Sequence, residues 1–284
     1  MLISCQKGIG RLIFRITLLI IAVSQASIAE ADLLKDSTER VAFKDHHIQV
    51  GYQWDTFEGA LADWHQGTVS GKISKGSFLF LPKIDVANRF GQQATSYSLD
   101  IYHKFRNQDY MMVTGSYSSS DIFPGIKAGA EYFNPLGTWE ASLGASYQQF
   151  NTGPKVSILT GGLSKYHGSF LSMAKGYLVF GNNQNEIQSI SALVQERYYL
   201  NDLNYINLFA SYGYDPNIFV IADNANITQD NTYQFAIGIT GQFRILEHFD
   251  LIPLYSFTRF QFAITERRQH TLGMSLRYLI FSKS

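Results

Sequence analysis

From residue 48 onward, apolar and polar residues alternate with a period of two, broken at intervals by turn-like clusters. The stretch TWEASLGASYQQF, residues 138–150, sets the pattern. Trp139, Ala141, Leu143, Ala145 and Tyr147 fall on one face, and Glu140, Ser142, Gly144, Ser146 and Gln148 on the other. IQVGYQW repeats it, with Ile48, Val50, Tyr52 and Trp54 against Gln49, Gly51 and Gln53. GIKAGAEYF, YINLFASYGY and TYQFAIGITGQF follow suit. Successive side chains of a strand point to opposite faces, so each stretch reads as a strand between two different solvents. No comparable stretch holds a 3.6-residue period long enough to predict a helix.

Fourteen such segments are predicted, near 48–57, 65–75, 78–90, 94–105, 108–118, 125–134, 138–149, 155–165, 169–180, 186–199, 204–214, 231–243, 249–260 and 268–280. An even number suits a closed antiparallel barrel. The second, third and ninth carry the least regular patterns, which leaves twelve strands as the alternative count. Short links such as NPLG (134–137) and NDLN (201–204) alternate with longer ones, the longest being DPNIFVIADNANITQDN (215–231). Short periplasmic turns alternating with longer external loops is the arrangement of outer-membrane barrels, and it puts both termini in the periplasm.

A soluble β-sandwich alternates in the same way, so the solvent on the apolar side has to be decided separately. Trp139 and Tyr147 bracket the apolar face eight residues apart, about 26 Å along a strand at ~3.3 Å per residue. With a tilt near 40° the height is roughly 20 Å, close to the spacing of the aromatic girdles of membrane barrels. Charged residues make up 16% of the chain, against roughly 25% in soluble domains. The polar face is also small and uncharged too often for a soluble exterior. The apolar side therefore faces lipid and the small polar side faces the interior: an all-β transmembrane antiparallel barrel.

The N-terminal region reads as an export signal over residues 1–29. Lys7, Arg11 and Arg15 precede the apolar run ITLLIIAV (16–23), and SIA (27–29) offers small residues for cleavage. That run is shorter than the roughly twenty residues a spanning helix needs. The single cysteine, Cys5, lies ahead of the apolar run and would leave with the signal. Disulfides, thiol catalysis and cysteine metal sites are thereby excluded from the mature chain. Residues 30–47 form a periplasmic lead-in and 48–284 the barrel. Basic and acidic residues balance at 23 each, which gives no nucleic-acid footprint.

The last segment, TLGMSLRY (271–278), resembles the C-terminal signal read by outer-membrane assembly machinery, with Gly273, Leu276 and Tyr278 at its key positions. LIFSKS follows it, where many barrels end on the aromatic residue. The chain as a whole resembles the YaiO family of outer-membrane β-barrels. The resemblance is carried by ANRFG (87–91), FPGIKAGAEYF (123–133), TWEASLGASYQQF, LTGGLSKYHGSF (159–170) and ERYYLND (196–202), in that order, from about Trp64 to the C-terminus. One stretch departs. Where the family pattern implies Gln-x-Glu-x-Asp-x-Tyr-Pro, this chain has SYSLDIYH, keeping Asp100 and Tyr102 but showing Ser96, Ser98 and His103. The resemblance implies partners among periplasmic helical-repeat or glycan-assembly proteins, and so a surface polysaccharide as cargo. It implies no cofactor.

Alternation turns Arg89, Asp100, Lys104, Lys127, Glu131, Glu140 and Arg197 inward. If NPLG closes a symmetric hairpin, Glu131 lies directly opposite Glu140, a destabilising like-charge pair. Arg89, Lys127 and Arg197 are the groups expected to neutralise it. The expectation is a lumen charge cluster of Arg89, Asp100, Lys127, Glu131, Glu140 and Arg197 near the periplasmic end, set against a merely solvated lumen. Trp54, Tyr132, Trp139, Tyr147, Tyr212, Tyr233 and Tyr278 are the expected membrane-interface aromatics. A barrel hydrolase would need a Ser–His pair. KYHGS puts His167 near Ser169 in a predicted turn without an orienting partner, and His103 reads as an interface residue. DNANITQDN (223–231) is rich in oxygen ligands but lacks the spacing of a calcium loop, so no metal site is assigned.

The expected function is a pore or export conduit for polar solutes across the outer membrane. A non-conducting structural or docking barrel is the alternative, and a barrel-embedded enzyme acting on lipid or glycan comes third.

Overall fold

A computed structural model of the chain describes residues 46–59, 62–89, 91–152, 155–181, 187–213, 233–261 and 266–280. The export-signal reading, the loop motif DNANITQDN and the whole of the 215–231 connection lie outside them.

Fourteen strands form one closed antiparallel barrel, each paired with its sequence neighbours and β1 paired with β14. They are β1 (His46–Phe57), β2 (Trp64–Lys75), β3 (Phe78–Arg89), β4 (Gln92–Lys104), β5 (Tyr110–Ser118), β6 (Ile126–Leu136) and β7 (Trp139–Gln149). The circuit continues with β8 (Lys155–His167), β9 (Phe170–Phe180), β10 (Ile187–Tyr199), β11 (Tyr205–Gly213), β12 (Tyr233–Leu246), β13 (Phe249–Gln261) and β14 (Glu266–Ile280). The alternative of twelve strands is thereby removed. The three least regular segments are full strands, and β9 pairs along its length with both β8 and β10.

The two ends of the barrel differ. Links of two to five residues join β2 to β3, β4 to β5, β6 to β7, β8 to β9, β10 to β11 and β12 to β13. The other end carries the longest link, β11 to β12, and links of six or seven residues from β1 to β2, β5 to β6 and β9 to β10, together with shorter ones such as the two-residue β3–β4 link. Three of the tightest turns place a glycine first, Gly76, Gly137 and Gly168, with φ of 60°, 63° and 55°. A two-residue hairpin turn needs positive φ there to match the twist of its strands. The barrel's first residue, His46, pairs with its last, Ile280, so both ends of the barrel sequence lie at the short-turn end.

The turn at Gly137 corrects the expected register. NPLG is not the turn: β6 continues through Pro135 to Leu136, and Leu136 pairs with Trp139 across Gly137 and Thr138. The pairing shifts by four residues, which sets Glu131 opposite Gly144 and Glu140 opposite Pro135. The two glutamates do not face one another. The barrel begins at His46, two residues into the expected lead-in.

The packing is inverted relative to a soluble domain. Leu143 on β7 is 71% exposed and Ile190 on β10 is 64% exposed, as part of an apolar band around the outside. Asp250, Gln148, Asp55 and Glu131 are buried on the inside. Apolar contacts among buried residues are confined to small groups, Ala87 with Ala94 and Ile122, and Val156 with Ile158 and Val179. The outward apolar surface can be stable only against lipid, since contiguous apolar patches of this extent do not stay in water.

Candidate functional site

The inner wall gathers most of the buried charge, Asp55, Asp85, Glu131, Glu140 and Asp250 among it, and small residues shape it. Lys175 on β9 and Glu131 on β6 form an ion pair, Nζ to Oε1 2.7 Å. Two strands separate them, and each side chain crosses a glycine. A Cβ on Gly144 would lie 2.9 Å from Glu131 Cβ and 3.0 Å from its Cγ. A Cβ on Gly162 would lie 3.1 Å from Lys175 Cγ and 3.3 Å from its Cε. The pair is therefore laid flat along the wall. With larger residues at 144 and 162, the same side chains would have to stand out into the lumen.

Nearer the long-loop end, Asp85 accepts hydrogen bonds from Thr68 (2.7 Å) and Gln66 (3.2 Å) and pairs with Lys83 at 2.8 Å. Arg89 joins this group by donating to Gln66 (3.1 Å), and its guanidinium lies 4.9 Å from the Trp64 ring centroid and 5.8 Å from that of Phe123. Asp55 accepts from Thr271 at 2.6 Å and from Gln53 at 3.0 Å. At the short-turn end, Arg244 donates to the fully buried Asp250, whose other oxygen is 3.8 Å from Arg277. Arg277 also donates to Gln242 (2.7 Å) and Gln49 (3.1 Å). Arg197 sits 4.4 Å from the Tyr205 ring centroid. Charge-assisted hydrogen bonds of this kind are the strong ones; most join register partners on adjacent strands, as Thr68 with Asp85 and Arg244 with Asp250, while Arg277 to Gln242 passes over β13.

The expected residues all face inward, but they do not form one cluster. Arg89 and Lys127 lie toward the long-loop end, and Lys127 pairs in register with Ser116 and Gln148. Asp100 sits opposite Leu81 and Thr114, lower on the wall. Glu140 and Arg197 lie near the short-turn end, on strands β7 and β10. Glu140 is hydrogen-bonded to Tyr110, whose ring stacks on Phe133 at 4.5 Å. The dispersal follows from where each residue falls on its own strand, Arg89 and Lys127 at one end and Arg197 at the other, and the four-residue register shift removes the like-charge pair that was to have recruited the cations. Lys175, Asp85, Asp250, Arg244 and Arg277 were missed. Parity in FLSMAKGYLVF puts Lys175 on the same face as Tyr177 and opposite Ala174 and Gly176, which is the signal that identifies it as inward.

The aromatics expected at the membrane interface face outward in two tiers. Tyr132, Trp139 and Tyr278 stand at the short-turn end, and Trp54, Tyr147, Tyr212 and Tyr233 at the long-loop end. Several are held by polar partners. Tyr132 donates to Asp109 in the β4–β5 turn, Trp54 donates to Asp63 (3.0 Å), and Lys165 Nζ lies 4.9 Å from the Trp139 ring centroid. Of the assembly-signal positions, Gly273 faces inward opposite Leu254, while Leu276 and Tyr278 face outward. His167 pairs with Ser172 at 2.7 Å, not with Ser169, which lies in the turn.

Two girdles of aromatics around an apolar band, with a polar inner wall and closed strand pairing, define an outer-membrane β-barrel protein. The sequence matches the YaiO membrane beta barrel domain over residues 45–218, and the chain belongs to that family. No curated protein sequence matches it. Among solved structures it is similar in fold to the CymD monoaromatic hydrocarbon channel, with a TM-score of 0.58 at 6% identity, covering 85% of this chain and 90% of the channel. A bacterial polysaccharide outer membrane secretin gives a TM-score of 0.52 at 4% identity, over 83% of this chain and 98% of the secretin. An anion-selective porin from Comamonas acidovorans gives 0.48 at 8% identity, over 83% and 98% respectively. At these identities the likeness is one of fold.

Proposed function

We propose that the barrel is a conduit for polar solutes across the outer membrane. The observation that carries this reading is the layout of the inner wall. Its charged side chains are paired along the sheet, and the Glu131–Lys175 pair lies flat over Gly144 and Gly162. Barrels of eight strands fill themselves with side chains and those of sixteen to eighteen leave an aqueous channel. Fourteen strands with small residues under the charges favour a water-filled passage. The glycan-assembly association implied by the family makes an oligosaccharide the first cargo to try. Liposomes carrying the refolded barrel should swell in iso-osmotic solutions of small sugars and swell less as oligosaccharide length grows. Swelling no faster than in protein-free liposomes would rule the conduit out.

Residues 1–29 are assigned to a cleaved export signal, with insertion by the outer-membrane assembly machinery through Gly273, Leu276 and Tyr278. The short turns then face the periplasm, where a helical-repeat or glycan-assembly partner would dock. N-terminal sequencing of the membrane-extracted protein should begin at Glu30; a chain retaining Met1 would contradict the assignment.

A further inference from the structure

The outer face of the barrel carries a polar patch at the short-turn rim of β7 to β10, apart from the Arg259–Glu266–Arg268 ion pairs at the opposite end of β13 and β14. Trp139, Lys165, Ser172 and Glu196 stand in one register row across these four strands. His167 lies two residues beyond Lys165 on the same face. Its Nε2 is 2.7 Å from Ser172 Oγ and 3.8 Å from Glu196 Oε1. Phe170 stacks on His167 at 5.6 Å and meets Tyr198 at 4.9 Å, which forms an aromatic floor under the polar groups. Two polar atoms here are buried without a hydrogen-bond partner, His167 Nδ1 and Glu196 Oε1. Leaving such atoms unpaired is costly, and the Glu196 side chain as a whole remains 40% exposed to what lies outside the barrel.

We propose that this patch holds the headgroup of a zwitterionic phospholipid bearing a primary ammonium. Trp139 marks the height of the membrane interface, since Trp and Tyr sit at headgroup level, and its row-mates share that height. The charges are complementary to such a head. Lys165 and His167, with the Ser172 hydroxyl between them and Glu196, meet a phosphate; Glu196, beside the Tyr198 ring, meets the ammonium. Two strand spacings separate Lys165 from Glu196, about 10 Å between Cα atoms at ~4.8 Å per strand, from which both long side chains can close on one head. The alternative occupant of a Ser–His–Glu group, a scissile ester, fits less well. Glu196 approaches the same imidazole nitrogen as Ser172, so nothing orients Nδ1, and a nucleophilic triad needs that orientation. The strand N–H groups beside Ser172 are engaged in the β8–β9 and β9–β10 ladders, which leaves no pair of donors for an oxyanion.

The test is native mass spectrometry of the full mature barrel released from vesicles of equal phosphatidylethanolamine and phosphatidylglycerol. Wild type, Glu196→Gln and Lys165→Gln are compared, each shown to be folded by heat-modifiable migration. Wild type should retain phosphatidylethanolamine over phosphatidylglycerol by about tenfold, the size of one charge-assisted contact. Glu196→Gln should lose that preference, and Lys165→Gln should retain less of both lipids. Equal retention of the two lipids by wild type, or preference unchanged in both variants, would overturn the proposal. Covalent labelling of Ser172 by a fluorophosphonate would overturn it in favour of a nucleophilic serine.

Discussion

Lys175 on β9 reaches Glu131 on β6 over Gly162 and Gly144, with Nζ 2.7 Å from Oε1. The relationship spans four strands, so it braces the wall in the direction across the strands while keeping both side chains out of the lumen. Replacing Glu131 by Gln leaves Lys175 without its carboxylate. The expected cost is about 1–3 kcal/mol, read as a lower urea midpoint of the folded, heat-modifiable form. A midpoint equal to wild type would mean that the pair is not formed in the membrane.

The glycines carry a prediction of their own. Gly162→Val places a branched side chain where Ser142 Oγ and Lys175 Cγ already lie, 2.5 Å and 3.1 Å from a Cβ. Overpacking of this kind costs about 1–3 kcal/mol. Shortening Lys175 to Ala in the same chain should relieve part of it, a coupling that a double-mutant cycle measures. Strictly additive effects would show that Lys175 does not cross Gly162.

Sidedness can be tested on the two strands that flank β6. Leu143 is mid-strand and lipid-facing at 71% exposure, and Leu143→Arg should destabilise the barrel by about 2–4 kcal/mol. Thr114, inward on β5 beside Asp100, should accept Thr114→Arg with little loss. Equal effects of the two substitutions in unfolding titrations would contradict the assignment of faces.

Asp250 is fully buried between Arg244 and Arg277 near the short-turn mouth. Asp250→Asn strips the carboxylate from two guanidinium groups. Breaking a buried pair costs about 3–5 kcal/mol, so the variant should refold in lower yield and unfold at lower urea. Wild-type behaviour would mean that water at the mouth already solvates both arginines.

Much of this was legible in the sequence because a period of two is the strongest signal a strand can carry. All fourteen segments and their inward and outward parity follow from it, down to Leu143 outside and Ser142 inside. Register was harder. It depends on which residues occupy the turn, and in NPLGT the positive φ that a two-residue turn requires falls on Gly137, past the proline, which stays in β6. That one choice moves Glu131 from Glu140 to Gly144. The charge pairing was harder still. Lys175 and Glu131 are 44 residues apart and meet because three successive strand pairings set Gly144 opposite Glu131 and Gly162 opposite Lys175, the two glycines lying diagonally across β7 and β8.

The mouth at the short-turn end is unevenly charged. Within three residues of the strand ends, the inner faces carry Lys72, Lys104, Arg197, Arg244 and Arg277 against Glu140 and Asp250, among the described residues. A mouth lined by one sign of charge concentrates the opposite ion. In a potassium chloride gradient the reversal potential should therefore have the sign of chloride preference, and Arg277→Glu should move it toward potassium. Potassium preference in wild type would contradict the charge reading while leaving conduction intact.

Conduction itself is the central claim, and single-channel recording of the refolded mature barrel in a planar bilayer tests it most directly. Discrete, uniform current steps from protein whose folding is confirmed by heat-modifiable migration are the predicted result. A silent bilayer with properly folded, inserted protein would contradict the account and make the barrel a plugged or docking structure.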